Sequence, residues 1–423
     1  MGVRSALARL AAGAPTPAFV VAGAGGRWAA EQLWLEPRIA PTLSPRAADA
    51  LVVVGYLSEG LLPAVMLAHD QVAPPRLAFQ WLPDGAPDDP LAAMVPGVRV
   101  VEGGSLVEVV RDAHAGLLAG RGDGHEDAWP DVEPAPWRGV GPYGQGGKGM
   151  TGGVPYGRPL TGRADDRDGL KLDRLDVRVG PVFPPFPSGL ELVVGLQGDV
   201  AQDVSVADNP FEGTAVADEV FRRALRQAVP IAELEVARAR SHLRWLGGAL
   251  RVAGLHALGR RALSLGVRAA PGDADRVARL RRSLARGRGL RWLAGAVGVL
   301  REDLGGPVGR AAGHPRDARS EVDEYRALGF EPVTHEGGDA LARWRQRVAE
   351  AEQALRLARV AGDATVGPLD VVEGPRGPLG TGPLLLDLLP DLLVGMEWGD
   401  LVTTVVSLDL DLEEAAVRAG VPA

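Results

Sequence analysis

The sequence predicts an open parallel α/β sheet domain, followed by a small β element and a mainly helical domain. Three patterns predict this order. Val-rich apolar runs alternate with helix-like segments over about the first 120 residues, which is typical of a parallel sheet. Alternating segments separated by turn residues follow at 170–206, as in short strands. A long stretch of helical periodicity then begins at Ile231.

Four apolar runs in the first part are the predicted strands, because buried parallel strands read as continuous apolar segments. They cover residues 17–22, 51–55, 76–81 and 98–101, and helices are expected at 61–71 and 106–118. After the first strand, the glycines at 23, 25 and 26 match the start of a dinucleotide-binding fingerprint, but Trp28 stands where that motif has Gly or Ala. We therefore predict a tight turn from strand to helix there.

A change in composition sets the domain boundaries. Residues 120–168 are rich in Gly and Pro and lack apolar periodicity, which predicts a flexible linker. We place the α/β domain at residues 1–119, the linker at 120–168, the β element at 169–215 and the helical domain at 216–423.

Residues 231–263 carry a pronounced amphipathic pattern and predict one long core helix. Glu235, Arg238 and His242 lie three and four residues apart along the edge of its apolar stripe, so they can bond to each other. Three arginines outside the stripe would meet water or a partner; they are Arg240, Arg244 and Arg251. Further helical segments are expected at 276–304 and 339–360.

The chain contains no cysteine. Iron–sulfur clusters, nickel–iron centres and disulfides all need thiolate sulfur, so we expect the chain to hold none of them with its own side chains. Its seven histidines form no HExxH-like pair. We therefore predict no metal site, no cofactor and no catalytic residue.

Charge is distributed unevenly along the chain. Residues 222–291 contain 17 arginines and four acids, whereas residues 384–416 contain eight acids and no base. The basic segment lacks an aromatic platform and the net charge is −8, so we predict no nucleic-acid partner. No apolar run reaches the roughly 18 residues of a membrane span.

The helical part resembles a known family. Residues 232–247, AELEVARARSHLRWLG, resemble the helix with AEL and HL-x-WLG motifs in the large, hydrogenase-like subunit of respiratory complex I and of membrane-bound nickel–iron hydrogenases. Residues 373–377, EGPRG, are similar to an E-x-PRG turn of that subunit, and residues 388–414 resemble its C-terminal ending. In this turn Arg376 is either an interior ion-pair residue or an exposed turn arginine.

The predicted β element resembles the N-terminal β element of the same large subunit. Residues 180–198 keep the frame of GP-x-HP-x-x-HG-x-L-x-L-x-L-x-G, with one inserted residue. The two histidines of this motif are replaced at about Phe183 and Phe186. In the family the second histidine hydrogen-bonds the quinone head group. The resemblance therefore marks Phe183 and Phe186 as degenerate quinone positions.

The first part resembles the cluster-bearing small subunit of the same complexes. Residues 44–55, SPRAADALVVVG, are similar to its SPR-x-AD-x-L-x-V-x-G stretch. The tandem cysteines of the family align with Arg27 and Trp28, a third cysteine falls near Asp84, and the fourth falls near Gly104. The resemblance therefore marks these four residues as degenerate cluster positions.

A cluster lost from a packed interface leaves a void that side chains must close. We expect Trp28 to fill this space and Arg27 to turn toward an acid, with Asp84 as the candidate partner. A cofactor pocket lined by Trp28 is the alternative.

The resemblance implies a natural fusion of a small-subunit-like half and a shortened large-subunit-like half, both without redox ligands. Our first hypothesis is a cofactor-free coupling or scaffold subunit in the peripheral arm of a complex I-like, ion-translocating membrane assembly. It would lie on the cytoplasmic face, bound to complex I-like or antiporter-like membrane subunits, with Glu235, Arg238, His242 and Arg376 as structural or interface residues. The second hypothesis is an NADH:quinone oxidoreductase-type subunit that binds quinone or NADH between its halves. A third is an Arg-rich adaptor for anionic lipid or nucleic acid.

Overall fold

The computed structural model describes residues 13–82, 91, 94–95, 97–102, 105–119, 162–165, 169–211, 219–287, 289–379 and 383–419. Most of the predicted linker and two degenerate cluster positions, Asp84 and Gly104, lie outside these residues. None of the helices in the described ranges is long and apolar enough to cross a membrane. The domain boundaries stay a prediction, because most of the predicted linker lies outside the described residues.

The open parallel sheet predicted for the N-terminal part is confirmed. Its strands are β1 (Thr16–Ala22), β2 (Ile39–Pro41), β3 (Ala50–Val54), β4 (Leu77–Leu82) and β5 (Arg99–Glu102). They lie in the order β2-β1-β3-β4-β5 and all pair in parallel. The helices α1 (Arg27–Leu33) and α3 (Leu106–Leu118) cover one face, and α2 (Leu62–Gln71) covers the other. Because the strand order reverses at β1, the crevice beside the carboxyl ends of β1 and β3 is where such sheets bind ligands.

The turn from β1 into α1 is as tight as the glycines predict. A Cβ atom at Gly26 would lie 1.7 Å from the carbonyl oxygen of Val54, so only glycine fits there. Gly55, at the end of β3, has a φ of +94°, which favours glycine. Because of this tight turn, α1 begins at Arg27, close to the carboxyl end of β1.

The predicted β element belongs to a four-stranded antiparallel sheet, and the first strand of this sheet lies at 162–165, in residues predicted to be linker. Its strands are β6 (Gly162–Asp165), β7 (Lys171–Val179), β8 (Leu192–Gln197) and β9 (Val200–Val206). Leu192 and Val194 of β8 belong to the same hydrophobic core as Val21 and Val53 of the parallel sheet. The loop between β7 and β8 carries Phe183 and Phe186. Their rings pack edge to face, with centroids 5.1 Å apart.

The helical part contains twelve helices within the described ranges. They are α4 (Glu219–Ala224), α5 (Ile231–Val252), α6 (His256–Arg268), α7 (Ala274–Arg286), α8 (Leu290–Ala294), α9 (Gly306–Ala311), α10 (Asp323–Ala327), α11 (Ala340–Ala361), α12 (Pro383–Asp387), α13 (Leu389–Leu393), α14 (Trp398–Ser407) and α15 (Leu412–Ala419). Two short antiparallel pairs join them, β10 (Val229–Pro230) with β11 (Thr365–Val366) and β12 (Glu373–Gly374) with β13 (Gly377–Pro378).

The prediction of one helix over 231–263 is wrong. Helix α5 ends at Val252 and α6 begins at His256, because Gly254 adopts a φ of +78°, a conformation that ends helices. The two helices then pack closely, since a Cβ atom at Gly247 would lie 3.0 Å from the carbonyl oxygen of Gly259. The helix expected over 276–304 is likewise shorter: α7 and α8 end by Ala294.

Helix α11 is the central helix of this part and closely matches the prediction for 339–360. Asp339 caps its first turn by accepting a hydrogen bond from the backbone N–H of Ala342 at 2.7 Å, and Gly362, with a φ of +53°, ends it. It packs against α5 and α7. Seventeen of its 22 residues are buried, including four charged residues, Arg343, Arg347, Glu350 and Glu352.

Candidate functional site

Buried and half-buried ionisable side chains from distant parts of the chain form one connected set, which we call the ionic network. Its members are Glu235, Arg238, Arg319, Asp317, Arg310, Glu373, Glu350, His242, Arg347, Asp409, Arg27, Arg376, Asp411 and Glu414. Helices α5 and α11 carry its middle, and the segment after α14 carries its acidic end. It runs from the interior of the helical part to α1 beside the parallel sheet.

Glu235 anchors one end of the network. Arg238 Nε donates to Glu235 Oε1 at 3.2 Å, Arg319 Nη1 donates to Oε2 at 3.0 Å, and the Tyr325 hydroxyl donates to Oε1 at 2.8 Å. Burial by itself would raise the pKa of Glu235, but the two guanidinium groups lower it below its ordinary value. The predicted Glu235–Arg238 contact is therefore present, and it is fully buried.

His242 does not contact that pair, in contrast to the expectation from spacing. Its Nδ1 accepts a hydrogen bond from Arg347 Nη1 at 3.1 Å, and its Nε2 lies 3.1 Å from Glu350 Oε2. Burial lowers the pKa of His242 to about 4, although Glu350 opposes this shift. The imidazole is therefore neutral near pH 7, and an acceptor at Nδ1 places its proton on Nε2, facing Glu350.

Arg310 forms the centre of the network. Its Nε and Nη2 donate to the two oxygens of Glu350 at 2.8 and 3.2 Å, a bidentate pair. Its Nη1 donates to Glu373 Oε1 at 2.9 Å and lies 3.0 Å from Asp317 Oδ2. Burial and the neighbouring Asp317 raise the pKa of Glu373, whereas Arg310 and His242 hold the pKa of Glu350 well below its ordinary value against the effect of burial.

The acidic end of the network joins the helical part to the parallel sheet domain. Asp409 Oδ2 lies 2.9 Å from Arg347 Nη1 of α11, and Asp409 Oδ1 accepts a hydrogen bond from Arg27 Nη2 of α1 at 3.1 Å. Arg27 Nη1 also donates to Asp411 Oδ2 at 3.0 Å. The carboxylates of one short segment therefore hold α1 and α11 together.

Arg376, for which the sequence left two interpretations open, lies in this junction. Its Nη1 donates to Glu414 Oε2 at 2.9 Å, and its Nη2 lies 2.9 Å from Asp411 Oδ2. Its side chain is 19% exposed. The geometry is that of a largely interior ion pair.

The structure describes two of the four degenerate cluster positions, Arg27 and Trp28. Arg27 turns toward acids, but these are Asp409 and Asp411, while Asp84 lies outside the described residues. The prediction that Trp28 fills the space is wrong, because Trp28 is 36% exposed and lies under the guanidinium of Arg244, 4.0 Å from its ring centroid. The neighbouring Arg27 instead forms ion pairs with Asp409 and Asp411.

A cavity of about 220 Å³ stands beside these two positions, and Arg27, Trp28, Arg244, Asp411 and Glu413 are among its lining residues. An iron–sulfur cluster is held by cysteine thiolates, and this lining offers carboxylates and guanidinium groups, so the residues present do not fit a cluster. Among the residues that the structure describes, no group of three or more His, Asp or Glu side chains is arranged to hold a metal ion.

A second cavity, of about 180 Å³, lies between β1, the loop after β7 and the last turns of α5. Both degenerate quinone positions, Phe183 and Phe186, line it. Their phenyl rings cannot donate a hydrogen bond to a quinone head group. Arg27 and Asp409 also line it, so this cavity, which we call the junction cavity, touches the ionic network.

Sequence reasoning missed the two aspartates on which the junction depends. Asp409 and Asp411 lie in the acidic segment 384–416, and that run of acids without a base was the one available signal. It indicated a basic partner but not which arginines, because Arg27 is 382 residues away from Asp409.

Residues 296–374 match the family described as the 49 Kd subunit of respiratory-chain NADH dehydrogenase. The matched stretch contains six members of the ionic network, Arg310, Asp317, Arg319, Arg347, Glu350 and Glu373. This stretch is therefore similar to the complex I subunit that the sequence resemblance named for the helical part. No match to a curated protein was found. The resemblance of the first half to the small subunit, and with it the fusion, stay predictions.

Proposed function

We propose that the chain is a cofactor-free coupling or scaffold subunit in the peripheral arm of a complex I-like, ion-translocating membrane assembly. The family match over residues 296–374 supports the assembly. The contacts of Arg27 carry the scaffold role. This residue stands at a degenerate cluster position, and its guanidinium is bound by Asp409 and Asp411. Ion pairs thus occupy a position for which the resemblance implies a redox ligand.

The ionic network suits such a role because its contacts connect α1 to α11. Removing one partner of a buried ion pair strongly destabilises the folded protein, since a charge is then left without compensation in the interior. Each network arginine described above contacts at least one carboxylate or backbone carbonyl through a fixed guanidinium fork. Asp409 contacts both Arg27 of α1 and Arg347 of α11, so it is the residue through which a displacement of α1 would act on α11.

Affinity purification of the full-length chain from native membranes tests this proposal. We expect ion-translocating membrane subunits to co-purify with the wild type and with the Arg46→Gln variant, in which an exposed arginine of the sheet domain is changed. Arg27→Gln, folded by circular dichroism, should lose them, because it releases α1 from the junction. Recovery of the wild type without any membrane subunit would refute the assembly, and full recovery with Arg27→Gln would refute the role of the junction.

The junction cavity favours a second function, that of an NADH:quinone oxidoreductase-type subunit. Its position between the two halves is where the alternative hypothesis places quinone or NADH, and aromatic rings line it. Titration of the purified chain with a short-chain ubiquinone or with NADH separates the two functions. It is followed by intrinsic tryptophan fluorescence, to which Trp34 and Trp245 in the cavity wall contribute. The scaffold predicts no saturable quenching, whereas saturable quenching would favour the second function.

A further inference from the structure

One glycine of α5 has no explanation in helix packing. Gly247 must be small because α6 approaches it closely, but a Cβ atom at Gly248 would have no heavy atom within 4 Å. A glycine in the interior of a helix destabilises it by about 1 kcal/mol relative to alanine. Gly248 lines the junction cavity. The absence of a side chain therefore keeps this space open.

Arg251 lies one turn further along the same face of α5 and also lines the cavity. Its guanidinium stacks on Trp34, 3.4 Å from the ring centroid. Within the described part of the chain, no carboxylate lies within ion-pair distance of it. Burial lowers the pKa of Arg251 to about 10, and the charge of Glu31 only partly opposes this shift.

The other charges around the cavity neutralise each other. Glu31 is shared by Arg27 and Arg244, and Asp409 is shared by Arg27 and Arg347. The cavity wall therefore has one guanidinium, that of Arg251, without a carboxylate partner. The buried Arg310, by contrast, contacts carboxylates directly, and the buried Arg343 donates to the Ser407 hydroxyl and to two backbone carbonyls.

The remaining wall of the cavity is largely apolar. The apolar side chains that line it include Val20, Ala22, Phe183, Phe186 and Leu263. Dry cavities of about 150 Å³ bind molecules of the size of benzene, so about 180 Å³ accommodates one ring or a short acyl chain. The space thus combines an apolar body with one cationic end.

We propose that the junction cavity binds a small amphiphilic anion, with its carboxylate or phosphate head on Arg251 and its apolar body in the space beside Gly248. A planar guanidinium forms two parallel hydrogen bonds with either head group, and stacking on Trp34 holds that plane in place. This inference goes beyond the proposed function and does not depend on it, because it concerns a ligand and not an assembly.

Calorimetric titration of the full-length chain with hexanoate, hexyl phosphate and 1-hexanol tests the inference. We expect at least one of the two anions to bind at least ten times more tightly than the neutral alcohol, and the stronger of the two identifies the head group. Arg251→Gln should abolish this preference, whereas Arg251→Lys should retain part of it. Equal affinity for hexanol and both anions, or no binding of any probe, would overturn the inference.

Filling the cavity provides an independent test. Gly248→Leu should weaken the binding of the preferred anion at least tenfold, because its side chain occupies the space that the apolar body needs. Its thermal midpoint should equal or exceed that of the wild type. Gly116→Leu is the matched control, since Gly116 also lies in a helix with nothing within 4 Å of its Cβ position, and it should bind normally. Unchanged affinity in a folded Gly248→Leu variant would contradict the proposed site, and Gly248→Ala repeats the test if the larger variant fails to fold.

Discussion

Replacement of Asp409 by Asn removes the charge that three arginines share. Arg347 Nη1 lies 2.9 Å from Asp409, Arg27 Nη2 lies 3.1 Å from it, and Arg376 Nε lies 3.5 Å from it. Arg27 and Arg376 keep Asp411 as a partner. Arg347 has no other carboxylate at ion-pair distance among the described residues, and its side chain is 1% exposed. The variant therefore leaves a buried guanidinium without compensation.

Breaking a buried ion pair in this way destabilises a protein by about 3–5 kcal/mol. We expect Asp409→Asn to lose about 3 kcal/mol, at the lower end of this range, because two of the three arginines keep a partner and Arg347 keeps its bond to the carbonyl oxygen of Pro375. Urea unfolding followed by circular dichroism measures the loss. The control is Asp391→Asn, which changes an exposed acid of the same acidic segment and should alter stability by about 0.5 kcal/mol or less.

The effect should also depend on pH. Burial alone would raise the pKa of Asp409, but Arg376, Arg347 and Arg27 lower it below its ordinary value. Such a carboxylate stabilises the fold above its unfolded pKa, roughly 4, and this contribution is lost as the pH falls through the lower folded value. The difference between wild type and variant should therefore shrink below about pH 4. A loss under about 1 kcal/mol at pH 7 with an unchanged m value would refute this account of the junction.

Three further predictions follow from the same structure. Burial raises the pKa of Glu413 to about 7, so the folded state binds more protons than the unfolded chain between about pH 4 and 7 and loses stability as the pH rises through this window. Glu413→Gln, which keeps an acceptor for Gly25 N, should remove this loss in thermal melts from pH 5 to about 8. An unchanged pH profile would contradict this prediction. Trp28→Ala should lower the free energy of unfolding by about 1 kcal/mol or less, the range of an exposed cation–π contact with Arg244. Trp344→Ala, at a site that is 2% exposed, should lower it by about 3–5 kcal/mol. Similar losses in the two variants would show that Trp28 is buried. Metal analysis of the chain isolated in high salt should find no stoichiometric iron, nickel or sulfide, because no thiolate exists to hold them, and stoichiometric iron with sulfide would contradict this.

Local patterns in the sequence determined most of the regular elements. The apolar runs at 17–22 and 51–55 became the parallel neighbours β1 and β3, because a segment that is apolar on both faces must be covered on both sides. The helix predicted at 339–360 became α11, since its capping and ending residues lie within its own neighbourhood. The contact of Glu235 with Arg238 followed from a spacing of three residues.

Only the tertiary structure decided which side of a local element faces which partner. His242 was expected to bond along α5, but it contacts Glu350 of α11, 108 positions away. Trp28 was expected to fill a void, but it lies exposed, while Arg27 pairs with Asp409 from the far end of the chain. Hydrophobic periodicity is a property of neighbouring residues, whereas an ion pair depends on where two distant segments meet. The sequence by itself therefore determined that this protein carries an acidic segment near its C-terminus. The packing of α1, α11 and that segment decided that its aspartates meet Arg27, Arg347 and Arg376, none of which belongs to the basic segment 222–291.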